Sequence, residues 1–489
     1  MIERSKIVIR ALLPKDGFAR GVSVLVGGTA GAQILLVLTA PILTRLYTPE
    51  DFGLLAVYAS LLAIIGVISS LRYELAIPLP EDDVEAANVA VLSLLLLCIS
   101  TAITTILVFM LGTNIAELLS VPVVANYLWL LPVGVLLSGA YSVFNYWSVR
   151  TKCFSAIAQT KLIQAIAMLA IQLATFKFGG IGLLLGQVAG QSAGTTSLAR
   201  LALAMQAFKQ VSWVGVKKAS GRYRRFPIFS SWGALINVAS WQIPVLMLGA
   251  FFPPAIVGFY SLGLRLIQMP LNLIGVAISQ VFFQFGAEAH KKGDLSRLVE
   301  ELSNRMLVLG LLPCMILMVI GADLFAFVFG AEWREAGVFT QILAPWALVW
   351  FLSSSLSTVY AIQERQKQEL IIHGAIFITR IVAIVVGGSL AGPRTALALF
   401  SVGGILSYGY LLHTIFVFSG VDYQVILYQK VQKLALGLAY LAPILIASNL
   451  TQIPDIGVLL LSAVMLAIFY LRNRHYLLKL NPDRSSSES

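Results

Sequence analysis

Fourteen apolar runs, most of them near 20 residues long, dominate the sequence and limit what it can fold into. A helix needs roughly 20 apolar residues to cross a hydrocarbon core of about 30 Å. Only helices and closed barrels satisfy the backbone hydrogen bonds in lipid, and runs this long lack the alternation of a barrel strand. The sequence therefore predicts an all-α integral membrane protein of about 14 transmembrane helices, near 21–44, 52–71, 86–112, 124–149, 157–176, 180–206, 228–250, 255–285, 305–329, 337–361, 369–390, 395–418, 432–449 and 453–471.

The composition agrees with a chain surrounded by lipid. Only 12% of the residues are charged and 58% are hydrophobic, whereas soluble domains carry roughly 25% charged residues. The net charge of +11 could indicate nucleic-acid binding, but the basic residues lie between the apolar runs, where they determine topology instead. Nucleic acid is therefore not an expected partner.

No residue pattern in the sequence indicates a cofactor or a metal site. The three cysteines, Cys98, Cys153 and Cys314, lie in or beside apolar runs, and no CxxC pair or Cys/His cluster is present. No phosphate-cradling loop is found, so ATP is not expected to drive the protein directly. The sequence predicts no cofactor, no metal site and no removable signal peptide.

The distribution of Lys and Arg predicts the orientation of the helices. With the N-terminus in the cytoplasm, 26 basic residues fall in inward segments and only four in outward loops. Basic residues concentrate on the cytoplasmic side of membrane proteins. We therefore expect both termini in the cytoplasm.

A basic segment near the middle of the chain, 207–227, is predicted to link two lobes of six helices each. Two short motifs suggest that the lobes are diverged copies, because Pro49 and Gly53 open helix 2 as Pro254 and Gly258 open helix 8. Parallel repeats of this kind occur in transporters that rock around a central site. The expected organisation is an amphipathic cytoplasmic N-terminus at 1–20, an N-lobe at 21–206, the linker, a C-lobe at 228–418, two further helices over 432–471 and a cytoplasmic tail at 472–489.

One stretch of the sequence resembles a known family. Residues 43–94, LTRLYTPEDFGLLAVYASLLAIIGVISSLRYELAIPLPEDDVEAANVAVLSL, are similar to the opening of bacterial polysaccharide flippases, the Wzx-type exporters of O-antigen and capsule repeat units. The resemblance implies a V-shaped pair of six-helix lobes in the cytoplasmic (inner) membrane. It also implies an undecaprenyl-pyrophosphate-linked oligosaccharide as substrate, for O-antigen, capsule or exopolysaccharide synthesis, and a polysaccharide polymerase as a possible partner.

Two arginines within predicted helices are the first candidates for a binding site. Arg265 lies about ten residues into helix 8 and Arg380 about eleven residues into helix 11, so both are expected near the middle of the bilayer. A charge there costs at least about 2.5–3.5 kcal/mol, and it needs a cavity or a partner. Asp323 is the one acidic residue well inside an apolar run and could pair with one arginine. A cationic cavity for phosphate and a buried ion pair are both compatible with the pattern.

Polar and aromatic stripes on four helices extend this candidate site. Interhelical packing is the alternative interpretation of each stripe, while four stripes together favour a shared wet cavity. The further substrate-binding candidates are Gln268 and Asn272 on helix 8, His373 on helix 11, Tyr141 and Asn145 on helix 4, and Trp350 and Tyr360 on helix 10.

Other functions are considered on the same scaffold. A lipid II flippase and a cation-coupled multidrug antiporter are the alternatives, although an antiporter would be expected to carry intramembrane carboxylates. A polyprenyl-sugar glycosyltransferase or polymerase is disfavoured because all predicted outer loops are short, and Glu50 and Asp51 are expected to cap helix 2 instead. The sequence therefore predicts a transporter rather than an enzyme, with ion or membrane-potential coupling possible.

Overall fold

The structure is a computed structural model that describes residues 17–118, 122–450 and 455–478. Within these residues, 14 helices have 20 or more residues and no strand occurs. They are α1 Gly17–Leu46, α2 Pro49–Ile68, α3 Asp83–Leu118, α4 Leu130–Arg150, α5 Phe154–Ala174, α6 Gly180–Leu203, α7 Ser231–Phe251, α8 Pro254–Lys292, α9 Leu295–Phe329, α10 Arg334–Leu356, α11 Gln366–Leu390, α12 Pro393–Ser419, α13 Tyr423–Leu450 and α14 Asp455–Leu478. The predicted all-α fold is confirmed.

Eleven of the helical segments among the described residues are long and apolar enough to cross a membrane. The three long helices outside that group are α4, α6 and α8, and each overlaps a span predicted from the sequence. Their glycines and polar side chains lower the mean hydropathy of each helix. The helix number expected from the sequence therefore agrees with the structure.

Several predicted boundaries are wrong in the same direction. The segment 286–304, predicted as a loop, is helical except at residues 293 and 294, because α8 continues to Lys292 and α9 begins at Leu295. Apolar runs report only the part of a helix that lies in hydrocarbon, and a helix can continue into water. Residues 1–16 of the predicted N-terminal segment and residues 479–489 of the predicted tail lie outside the described residues.

The chain divides into two compact units, residues 1–261 and 262–489. In the first unit, α5 packs against α1 and α6, α4 packs against α3 and α6, and α7 packs against α2. In the second unit, α10 packs between α9 and α12, α11 packs against α12, and α13 and α14 pack on α9. The lobes predicted from the sequence, with the linker at 207–227, stay a prediction.

A ridge of glycines on α6 explains its close packing against α5. A Cβ atom added at Gly190 would lie 2.7 Å from the carbonyl oxygen of Gln164, and one at Gly186 would lie 2.8 Å from that of Met168. Small residues spaced by four let the backbones of two membrane helices approach closely. The ridge that contains them, Gly182, Gly186, Gly190 and Gly194, is a packing surface within the first unit.

The loop between α2 and α3 carries part of the stretch that resembles flippases, and it is tightly bonded. Glu74 is buried, accepts a hydrogen bond of 2.5 Å from the Ser70 hydroxyl and pairs with Arg72 at 3.4 Å. From α4, Arg150 donates to the carbonyl oxygens of Ile77, Pro80 and Glu81. Because this guanidinium satisfies several loop carbonyls at once, it fixes the path of the loop.

The N-terminal ends of α2 and α8 are in reciprocal backbone contact. Thr48 and Asp51 form a capping box at the start of α2, so the expected capping role of Asp51 is confirmed. A Cβ atom at Gly53 would lie 2.0 Å from the Pro254 carbonyl oxygen, and one at Gly258 would lie 2.0 Å from that of Pro49. The two matching Pro and Gly motifs of the sequence therefore pack against each other.

Candidate functional site

Arg265 lies on α8 in the second unit and its side chain is exposed. It lies eleven positions after Pro254, the start of the helix, which corresponds to roughly 16 Å along the helix axis. In the described part of the chain, no carboxylate lies within ion-pair distance of its guanidinium. Arg265 is therefore an exposed cation about three turns into α8, without a carboxylate partner among the described residues.

The other predicted residues of the α8 stripe divide between two roles. Asn272 is exposed and Gln268 is half-buried. Ser279 donates a hydrogen bond of 3.0 Å to the carbonyl oxygen of Ser355 on α10. The far end of the stripe is thus used for interhelical packing, while the part near Arg265 remains accessible.

Arg380 lies in a different environment, an aromatic cluster made with Trp346, Phe400 and Tyr408. The residue is buried, and its guanidinium donates a hydrogen bond of 2.8 Å to the Tyr408 hydroxyl. The Cζ atom lies 5.7 to 6.0 Å from the centroids of the three rings, within the range of cation–π attraction. α10, α11 and α12 therefore hold this charge inside the second unit, and Arg265 is not part of the cluster.

The α12 side of this cluster is not predicted by any of the sequence patterns above. Phe400, Gly404 and Tyr408 are spaced by four and share one face of α12. A Cβ atom at Gly404 would lie 2.2 Å from the Trp346 ring, so only glycine leaves room for the indole. A search for aromatic residues at this spacing around a glycine would have indicated the face.

Asp323 is not the counter-ion of either arginine. Its carboxylate pairs with Arg334, at the start of α10, at 2.6 Å. The pair forms because α9 ends at Phe329 and the chain turns back at once into α10. The alternative in which Asp323 pairs with Arg265 or Arg380 therefore does not hold among the described residues.

The remaining candidates of the second unit are placed in different surroundings. Trp350 is buried and stacks on Trp346 with ring centroids 6.1 Å apart. Tyr360 is buried in a separate short helix, Thr358–Ile362, and its hydroxyl bonds to Thr414 on α12. His373 is exposed, with Nε2 3.8 Å from a Glu369 oxygen. Trp350 joins the aromatic cluster, whereas Tyr360 and His373 do not.

Two candidates belong to the first unit and lie on α4. The Tyr141 hydroxyl is 3.1 Å from that of Thr160, and the Lys161 ammonium lies 4.7 Å from the centroid of its ring. One turn away, the buried Asn145 Oδ1 has no hydrogen-bond partner in the described part of the chain. This face of α4 combines an aromatic ring, a cation and a buried acceptor that lacks a hydrogen-bond partner among the described residues. These are groups that suit a polar ligand.

Two comparisons with known sequences give a consistent result. A family model described as "polysaccharide biosynthesis protein" matches residues 42–338. The succinoglycan biosynthesis transport protein ExoT of Rhizobium meliloti (strain 1021) is 23% identical over 329 residues. That match covers 65% of this chain and 63% of the relative, a little under two thirds of its length.

Solved structures show the same fold. The lipid II flippase MurJ in an inward closed conformation has a TM-score of 0.72 at 13% identity, with 92% of this chain and 99% of that chain covered. An inward-facing multidrug resistance MATE family transporter of the MOP superfamily has a TM-score of 0.57 at 14% identity, covering 83% and 95% of the two chains. The chain is thus a multi-pass membrane protein with an exporter fold.

Proposed function

Because the chain belongs to the polysaccharide biosynthesis protein family, we propose that it is a flippase for lipid-linked oligosaccharides. In this proposal it moves undecaprenyl-pyrophosphate-linked repeat units from the cytoplasmic to the outer leaflet of the inner membrane, for O-antigen, capsule or exopolysaccharide synthesis. The single observation that carries the proposal is Arg265, an exposed cation at membrane depth without an ionic partner among the described residues.

The guanidinium and the pyrophosphate carry opposite charges, and each loses solvation free energy in the middle of the bilayer. A cation at the bilayer centre costs at least about 2.5–3.5 kcal/mol, and a pyrophosphate that crosses the same region is also poorly solvated. Each lowers the cost of the other, and guanidinium binds phosphate by paired hydrogen bonds. Since phosphate is common to all such carriers, this contact requires no match to a particular sugar.

The other candidate residues have supporting roles in the proposal. Arg380 is buried, so it adds positive potential from within the aromatic cluster and contacts the phosphates only after a rearrangement. Gln268 and Asn272 extend the polar surface beside Arg265, and Trp350, Tyr360 and His373 complete the candidate set in the second unit. Tyr141 and Asn145 lie in the first unit and remain separate candidates, proposed by their ring and amide to contact a sugar.

Transport by alternating access would move net charge across the membrane. Each elementary charge exchanges about 2.3 kcal/mol with a potential of 100 mV. Membrane potential can therefore couple to transport without a nucleotide.

Two alternatives use the same scaffold. Lipid II carries the same pyrophosphate, so the contact with Arg265 would also suit a lipid II flippase. A cation-coupled drug antiporter is disfavoured, because the Asp323 carboxylate is occupied by Arg334. The substrate must therefore be determined by assay.

The test is transport by the purified protein in sealed vesicles. Undecaprenyl-pyrophosphate-linked oligosaccharide is placed in one leaflet, and a membrane-impermeant periodate probe reports its arrival in the other. We expect protein-dependent transfer of the oligosaccharide lipid and little transfer of a drug cation, and lipid II is tested in parallel. Absence of oligosaccharide transfer, with transfer of lipid II instead, would replace the proposal by its first alternative.

Cysteine labelling tests the proposed orientation. After replacement of the three native cysteines, single cysteines at positions 115 and 453 are expected to react only from outside. Those at 218 and 480 are expected to react only from inside, since basic residues concentrate there. Positions 453 and 480 lie outside the described residues. Outward labelling at 218 would reverse the orientation and the proposed direction of transport.

A further inference from the structure

A cleft between α11 and α12 in the second unit has no role in the mechanism described above. Its volume is about 540 Å³, within the roughly 300–1,000 Å³ of pockets that hold drug-sized ligands. One wall is a face of α11 and the other a face of α12, lined by Gln368, Ile371, Ile372, Ala375, Ile376, Leu406, Ser407, Tyr410, Thr414 and Phe418. The lining residues recur at helical spacing on both walls, so the cleft follows the two helix axes.

α11 and α12 pack closely near the short turn that joins them. A Cβ atom at Gly387 would lie 2.4 Å from the Ala396 Cα atom, and one at Gly403 would lie 2.8 Å from the Thr379 methyl group. The residues that line the cleft lie beyond these contacts, towards the start of α11 and the end of α12. The end of the cleft beside Phe418 is called its mouth.

The walls are apolar over most of their length and the mouth is polar. Ile371 and Leu406 are 62% and 69% exposed at the edges of the cleft, so it opens at the surface of the second unit, where membrane helices face lipid. Gln368 and Thr414 lie towards the mouth, Tyr410 lies midway along the α12 wall, and Ser407 lies at the opposite end. A mostly apolar lining with polar groups at the mouth suits an amphiphile whose chain lies along the walls.

A cation lies at the mouth of the cleft, beside Phe418. The Arg365 guanidinium stacks 4.1 Å from the centroid of the Phe418 ring, which lines the cleft. Arg365 is exposed, and none of the ion pairs among the described residues involves it. The nearby carboxylate of Glu369 is oriented towards His373 instead, at 3.8 Å. An anionic head group at the mouth therefore meets an available guanidinium.

We infer that this cleft binds the phosphate-proximal part of a polyprenyl chain, with the phosphate at Arg365 when the carrier docks; the contact with Arg265 belongs to the later crossing step. The cleft is a single groove between two helices, and a diacyl phospholipid would need a second groove for its other chain. The inference rests on the proposed function, because a lipid-linked oligosaccharide presents a single polyprenyl chain joined to phosphate. The cleft then binds the polyprenyl phosphate portion, which all such lipid-linked oligosaccharides share.

Photocrosslinking in phosphatidylcholine vesicles tests the inference with a benzophenone-bearing polyprenyl diphosphate as probe. We expect crosslinks within 365–376 and 406–418, and we expect competition by undecaprenyl pyrophosphate but not by added phosphatidylglycerol. Equal competition by phosphatidylglycerol would make the cleft an ordinary phospholipid site. Crosslinks confined to other helices would overturn the inference.

Variants give the second measurement. Arg365→Ala should remove the phosphate partner and lower the crosslinking yield about 10- to 100-fold, as expected for loss of a hydrogen bond to a charged group. Ala375→Trp should fill the cleft and lower the yield as well, because the chain no longer fits. Leu406→Trp fills it from the other wall. Ile378→Trp is the matched control, because Ile378 lies on α11, is 61% exposed and is not a lining residue.

The outcome is separable from that of the proposed function. If wild-type protein transfers the oligosaccharide lipid and the filled variants crosslink and transfer as the wild type does, the cleft inference is wrong and the flippase proposal stands. If the wild type transfers no lipid-linked oligosaccharide at all, the flippase proposal fails whatever the cleft binds.

Discussion

Arg265→Ala is expected to reduce export of surface polysaccharide by about 10- to 100-fold, because a hydrogen bond to a charged group contributes about 1.5–3 kcal/mol. Arg265→Lys should keep part of the activity, since lysine retains the charge but not the paired donors. The measurement is complementation of a strain that lacks the transporter, with the amount of each variant in the membrane checked. Normal export by Arg265→Ala would exclude a phosphate contact at this residue.

Two further variants separate phosphate binding from charge balance. Because Asp323 pairs with Arg334, adding Asp323→Asn to Arg265→Ala should not restore export. Rescue by that second change would show that Arg265 only balances a carboxylate. Arg297→Ala is the matched control, since Arg297 is an exposed arginine in the first turn of α9 and we expect it to leave export unchanged.

Gly53→Ala and Gly258→Ala are expected to produce the second large effect, a loss of both thermal stability and export. Each new methyl group would lie 2.0 Å from a proline carbonyl oxygen of the facing helix end. Backbone atoms cannot rotate away as a side chain can, so α2 and α8 must separate. Overpacking of this kind costs typically about 1–3 kcal/mol. Thermal unfolding of the purified variants is the direct measurement.

The same helix provides the control for this pair. At Gly66 of α2, an added Cβ atom would have its nearest neighbour, the Ser138 hydroxyl oxygen, at 3.6 Å, which is an ordinary contact. Gly66→Ala should therefore leave the unfolding temperature unchanged or raise it, because alanine favours a helix by about 1 kcal/mol over glycine. Equal behaviour of the variants at positions 53, 66 and 258 would contradict the contact.

The sequence alone determined the number of helices and their order. Apolar runs of sufficient length must become helices in lipid, whatever surrounds them. The run that became α9 illustrates the limit, because its apolar part predicts 305–329 while the helix begins at Leu295. The apolar composition predicts the part of the helix that lies in hydrocarbon. Where the helix ends outside the hydrocarbon depends on local interactions.

The sequence also identified Gly53 and Gly258, but only as matching positions in a weak repeat. That the two glycines contact each other through Pro49 and Pro254 is a property of tertiary structure. In the same way, the sequence predicted that Arg380 is costly in the membrane. Only the packing of α10, α11 and α12 determined that aromatic rings surround it.

These contacts could not be predicted from the sequence because a membrane helix lacks the polar face that identifies the solvent side of a helix in a soluble protein. A helix at the surface of a soluble protein shows its buried side by an apolar stripe. In a membrane the side that faces lipid is as apolar as the side that faces another helix, so periodicity does not distinguish them. The partner of Asp323, the exposure of Arg265 and the cleft beside Phe418 therefore depend on which helices meet, and that is decided by close packing of the folded chain.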